Sequence, residues 1–332
     1  PFIPLDLENS SFPATIFTYT VINATDQVQK VELGGWLENP VAIKSREDKS
    51  SEKTYKHTVL QNSFTLDAKY TGLTFTANNE SVALSKAADG GSMSFSLLNQ
   101  AAIVNTDYRV LTDVFTANNN KSLRNYHNEG TLKGSLATTV MLEPGESQDI
   151  SFLFSWYFPN TQIDLGALKD QHKSARRHYA TQFSSSEDVA KKISANFKKL
   201  ESETLAWNDT WYDSTLPYWL LDRSILNVST LATNTSYRLE DGEDGRFYGF
   251  EGGFQGEGTC THVWGYVHAI GRLFPSLEKN LREKTDFVNY PNGAFSEDGM
   301  VRYRGVYKGM AAYAVDGQSG TIVKSYLVHQ MM

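Results

Sequence analysis

The run Ser184-Ser-Ser-Glu187-Asp-Val189-Ala-Lys-Lys-Ile193-Ser-Ala-Asn-Phe197-Lys-Lys-Leu200 marks a change of period in this chain. Val189, Ile193, Phe197 and Leu200 fall on one face of a helix, and Ser184 with Glu187 fits a Ser-x-x-Glu cap. Upstream the period is two. Phe17, Tyr19 and Val21 alternate with threonines, and Met93, Phe95, Leu97, Ile150 and Phe152 alternate with serines. Turn clusters lie between these runs: Ala88-Asp-Gly-Gly91, Ala117-Asn-Asn-Asn120 and Glu143-Pro-Gly-Glu146. Short strands at this spacing, with no helical run among them, predict a β-sandwich.

Downstream, Pro217 suits the first turn of a second helix with the stripe Leu221, Ile225, Val228 and Ala232. A third helix is expected through Val263, Val267, Ile270 and Phe274, interrupted by Pro275, and a fourth from near Gly320 through Thr321, Ile322, Val323 and Tyr326. No strand long enough to pair is evident there, so the second half reads as all-α. The expected organisation is multidomain β plus α: a sandwich over 1–160, a linker over 161–185 and a helical domain over 186–332. The basic run from Lys173 to Arg177 reads as a solvated helix face.

The chain has 332 residues, enough for two domains and a large core. With 31 basic and 38 acidic side chains its net charge is −7, which argues against nucleic acid or an anionic membrane as the main partner. No apolar run reaches the ~20 residues needed to cross a bilayer. One cysteine, Cys260, excludes an intrachain disulfide and fits a reducing compartment, though a large exported bacterial protein would look the same, so cytoplasm and periplasm both stay open. The start at Pro1, without Met or a signal-like segment, and the uncapped helical pattern ending at Met332 read as cut ends, with the rest of the helical domain missing.

The densest chemistry lies in Asp241–Trp264, DGEDGRFYGFEGGFQGEGTCTHVW. Its glycines permit positive φ and close approach to a ligand. Phe247, Tyr248 and Phe250 precede Glu251, and Glu257, His262 and Trp264 follow. A carboxylate among aromatic rings suits a glycosidase nucleophile, which needs a second carboxyl group about 5–5.5 Å away. A surface loop with solvated acids fits the same composition.

Four stretches carry a resemblance: Ser214-Thr-Leu-Pro-Tyr-Trp-Leu-Leu221, Gly245-Arg-Phe-Tyr-Gly-Phe-Glu-Gly252, Thr259-Cys-Thr-His-Val-Trp-Gly-Tyr266 and Leu273-Phe-Pro-Ser-Leu-Glu278. With Pro1-Phe-Ile-Pro4 and Gly34-Gly-Trp-Leu-Glu-Asn39, they make the chain resemble glycoside hydrolase family 116, the non-lysosomal glucosylceramidases and related bacterial and archaeal β-glucosidases. The resemblance implies a β-sandwich followed by an (α/α)6 barrel and a retaining, exo-acting β-glycosidase without cofactor or metal, acting on a carbohydrate or glycoside. It implies Glu251 as nucleophile and an Asp acid/base beyond Met332, so that this piece alone is expected to be inactive. Asp316 matches a family position, although a helix cap is an equal reading. Where glucose-specific members carry Tyr-Asp-Val-His, this chain has Thr261-His-Val-Trp264. Imidazole is no two-oxygen acceptor for paired hydroxyls, so the sugar is expected to differ from plain glucose or to bind through other residues. His262, Trp264, Asp316 and Tyr248 are the expected substrate-binding residues.

Competing readings are weaker. Cys260, His262, Glu257 and His268 lack zinc spacing, and the Gly-rich segment has no Lys-Ser/Thr ending for phosphate. An inverting (α/α)6 glycosidase or phosphorylase, or a non-catalytic carbohydrate-binding protein, remains as the alternative.

Overall fold

The computed structural model describes residues 1–161, 176–233, 235–243, 245–250, 259–265, 267, 269–305 and 312–332, with the backbone alone for 225–227. The chain divides into two units. One comprises Phe12–Asn160 and Gln182–Leu200, and the other Pro1–Ser11, Thr161–Thr181 and Glu201–Met332. This division follows packing, whereas boundaries at 160 and 185 follow periodicity. Four helices of four to six residues, α1 (Leu7–Ser10), α2 (Ile43–Glu47), α3 (Glu52–His57) and α4 (Tyr126–Glu129), precede any longer one.

The first unit is a sandwich of antiparallel sheets. Its strands are β1 (Ala14–Ile22), β2 (Gln29–Glu38), β3 (Thr58–Leu66), β4 (Tyr70–Asn79), β5 (Ser92–Leu98), β6 (Ile103–Asn105), β7 (Ser122–Asn125), β8 (Lys133–Leu142) and β9 (Ser147–Tyr157). Six form a sheet in the order β1-β9-β5-β4-β3-β7, and three form a sheet in the order β2-β8-β6. Leu73, Phe75, Phe95, Leu97, Ile150 and Phe152 from the larger sheet pack with Val104, Leu136, Val140 and Leu142 from the smaller. In β1, Phe17 and Tyr19 stay about half exposed, because β1 is an edge strand; their rings meet Phe154 and Phe152 edge-on.

The serine face of β5 is also covered. Helix α5 (Ser186–Tyr212) buries Ser186, Val189, Ala190, Ile193 and Leu200. Its first residue docks through hydroxyls: Ser186 Oγ lies 2.7 Å from Ser94 Oγ, Ser186 N donates to Ser92 Oγ at 3.0 Å, and Ser155 Oγ donates to Ser186 O at 2.8 Å. The cap falls one residue later than the sequence suggests. Asp188 N donates to Ser185 Oγ at 3.1 Å, and Asp188 Oδ2 accepts from Ser184 N at 3.1 Å. Glu187 instead accepts from Thr65 Oγ1 at 2.7 Å, which removes it from the cap.

The second unit contains α6 (Tyr218–Ile225), a 3-10 turn (Leu226–Ala232), strands β10 (Ser236–Leu239) and β11 (Arg246–Gly249), and helices α7 (Thr261–Trp264), α8 (Ala269–Leu273), α9 (Pro275–Leu281) and α10 (Val315–Met331). Its apolar cluster is Phe247, Trp264, Ile270, Phe274, Leu277 and Leu281. Three expectations are corrected. This half is not all-α, because β10 and β11 pair in an antiparallel hairpin. The third helix is broken into α7 and α8, and near the break Lys324 Nζ donates to the carbonyls of Trp264 (2.6 Å) and Val267 (3.1 Å). Pro275 starts α9 after a second break at Phe274. The fourth helix begins at Val315, so Gly320 is interior to it. Among the described residues no helix is long and apolar enough to cross a membrane.

Candidate functional site

The hairpin is the frame of the site. Gly245 adopts φ +65°, and a Cβ there would stand 2.7 Å from both His178 Nδ1 and Leu239 O, so only glycine fits. Asn280 on α9 clamps the start of β11: its Oδ1 accepts from Phe247 N at 2.8 Å and its Nδ2 donates to Gly245 O at 2.9 Å. Arg246 is buried, donates to the carbonyl of Lys284, and holds its guanidinium 5.5 Å from the centre of the Tyr248 ring.

Glu251 lies outside the described residues, as do Asp244, Glu257, His268 and residues 173–175 of the basic run. The backbone on either side of 251–258 is well tied. Phe250 N donates to Thr235 O at 2.7 Å, and Thr259 N donates to Gly249 O at 2.6 Å. Thr259 holds φ +51°, a left-handed conformation costly for a β-branched residue, on the order of 1–3 kcal/mol. That bond and the bridge between Cys260 and Arg304 hold it there.

His262 and Asp316 come together. Gly317, next to Asp316 on α10, has no room for a side chain: a Cβ would stand 2.4 Å from Thr261 Oγ1 and 3.0 Å from His262 N. The first turn of α10 therefore lies against α7, and His262 Nδ1 meets Asp316 Oδ2, both side chains about half exposed. The N-cap of α10 is Ala314, so Asp316 is not the cap residue; its Oδ1 accepts from Gly317 N at 2.9 Å. A carboxylate beside Nδ1 fixes the orientation of the ring.

Trp264 and Tyr248 lie deeper. Trp264 is 5% exposed, and its ring meets Phe247 edge-on at 5.8 Å and covers Gly249, where a Cβ would fall 1.9 Å from Cε2. Tyr248 is 1% exposed, with its hydroxyl unbonded among the described residues. Burial raises its pKa far above the usual phenol value, against the opposing pull of Arg246.

Beneath α7 lies a cluster that the sequence reading missed. Glu278, Arg282, Asp286 and Lys324 are all buried. Arg282 Nη2 is 3.2 Å from Glu278 Oε1 and Arg282 Nη1 is 2.9 Å from Asp286 Oδ2. Lys324 Nζ is 3.3 Å from Glu278 Oε1. Burial pushes the Asp286 carboxyl up to about 6, although Arg282 draws it down. Burial also lowers the Lys324 pKa, with Glu278 opposing. The signal was present as charges at i, i+4 and i+8 (278, 282, 286), a pattern equally at home on a solvated face.

No curated protein matches this sequence. The family described as beta-glucosidase 2, glycosyl-hydrolase family 116 N-term, matches residues 1–200. That span holds the whole sandwich and stops short of the hairpin, so it speaks for the lineage of the chain and leaves the site to its own geometry. Covering more than half of the sequence, the match shows that this chain belongs to glycoside hydrolase family 116.

Proposed function

We propose that the complete enzyme is a retaining, exo-acting β-glycosidase, with Glu251 as nucleophile, in which the second unit contributes to an (α/α)6 catalytic domain. The observation that carries this reading is membership of a glycoside hydrolase family. The hairpin supports it, since β11 ends at Gly249 directly before Phe250-Glu251 and the chain is tied at Phe250 and Thr259. In this scheme the Glu251 carboxylate attacks the anomeric carbon. An Asp that the family resemblance puts beyond Met332 protonates the leaving oxygen and then activates water. His262, oriented by Asp316, meets the sugar hydroxyls. Tyr248 and Trp264 back the site from below, and a sugar other than unmodified β-glucose is preferred.

The test is labelling of the complete enzyme with a 2-fluoro glycoside, peptide mapping, and proton NMR of the first-formed product. A label on Glu251 and a retained anomeric configuration support the proposal. An inverted product points to the inverting glycosidases or phosphorylases, and glycoside binding without turnover points to a carbohydrate-binding protein.

A further inference from the structure

We propose that Lys324 is a positioning residue of this site, its ammonium group fixing the turn that follows His262. The inference rests on the glycosidase reading above. Helix α10 reaches the α7 segment twice. Asp316 in its first turn holds the His262 ring, and two turns further on Lys324 donates to the carbonyls of Trp264 and Val267 at 2.6 and 3.1 Å. Trp264, whose carbonyl Lys324 holds, covers Gly249 with its ring, two residues before Glu251.

A buried ammonium group is a costly way to join helices. Lys324 is 3% exposed, and a charge at that depth persists only when paired. Its partner Glu278 is shared with Arg282, which also binds Asp286, so two cations and two carboxylates balance. Apolar replacement of such a cluster is often neutral or stabilising, so cohesion alone gives little reason for its use. What an apolar side chain cannot do is donate to two carbonyls in a broken helix. Through Lys324 the cluster sets the level of α7, and α7 carries His262.

The test uses the complete enzyme with Lys324→Gln, which retains a donor, and Lys324→Met/Glu278→Gln, which removes one charge of each sign. Leu97→Ala in the sandwich core is the control for lost stability. With an aryl β-glycoside, KM should rise about tenfold in the double variant and less in Lys324→Gln, because small misplacements of binding groups are costly. The 2-fluoro glycoside should still label the same residue, and Leu97→Ala should lower the melting temperature with KM unchanged. KM values within twofold of wild type in the folded variants overturn the inference. So does failure of both Lys324 variants to fold, which would make the cluster purely structural. An unlabelled wild type overturns the glycosidase reading instead. The inference is then judged on the His262 imidazole signals by NMR: a shift in the Lys324 variants upholds it and unchanged signals overturn it.

Discussion

In the sandwich, most buried polar side chains are hydroxyls and amides, such as Ser94, Ser155 and Asn62, bonded to one another or to backbone. Its buried guanidinium groups turn to carbonyls or a carboxylate: Arg46 donates to Asn39 O at 2.7 Å, and Arg124 pairs with Asp107 at 2.5 Å. The second unit instead buries Glu278, Arg282, Asp286 and Lys324 together. A mostly neutral interior loses stability in proportion to the atoms removed. A charged one fails through imbalance, when one ion is left without its partner. The difference teaches where to expect substitutions that change activity without greatly changing the fold, and where to expect the reverse.

The contrast is sharpest at Glu251. In the complete enzyme, Glu251→Gln should cut turnover by several orders of magnitude and leave the melting temperature near wild type; surviving activity would break the comparison and the proposed mechanism together. Leu97→Ala should do the opposite, costing about 2–5 kcal/mol by denaturant titration and leaving KM alone. Gly249→Ala should do both, because its methyl group must displace the Trp264 ring. A loss of about 1–3 kcal/mol is expected, with lower kcat/KM; wild-type kinetics would show that Trp264 moves without consequence.

Two smaller effects refine the picture. His262→Asp restores a two-oxygen acceptor, so it should raise the preference for aryl β-glucoside over other aryl β-glycosides by about tenfold. An unchanged ratio would remove His262 from specificity. Asp286 supplies the pH test. Its folded carboxyl sits above its unfolded value, so the native state binds the extra proton, and this group's contribution to stability falls as pH rises from about 4 to about 6. The melting temperature of Asp286→Asn relative to wild type should therefore improve by a few degrees from pH 4 to pH 7. A constant difference would mean that Asp286 is not titrating in that window.

Much of the sandwich was legible because alternation and turn residues are local. Met93, Phe95 and Leu97 on one face of β5, with serines on the other, were readable, but the cover on the serine face was not, since α5 lies 92 residues away at Ser186. The hairpin escaped because its four-residue strands are too short for periodicity to speak; the cue was Gly245, between two short aromatic-bearing runs. For the site, motif order pointed to Glu251 and to the neighbourhood of His262 and Asp316. The juxtaposition of those two depends on Gly317 lacking a side chain against Thr261, a tertiary fact without a local signature. The buried tetrad was invisible for the same reason, since charge spacing carries no information on depth.

The hydrogen bond from Thr259 N to Gly249 O has a consequence for how this family can diversify. It fixes the points at which the chain leaves β11 and returns ahead of α7, so a change of length between them need not shift either element. Loop entropy penalises longer insertions weakly, about 0.6 kcal/mol for each doubling. An exchange cut at 249 and 259 that keeps Glu251 should therefore leave the hairpin and α7 in register, with His262 still in place to set sugar preference.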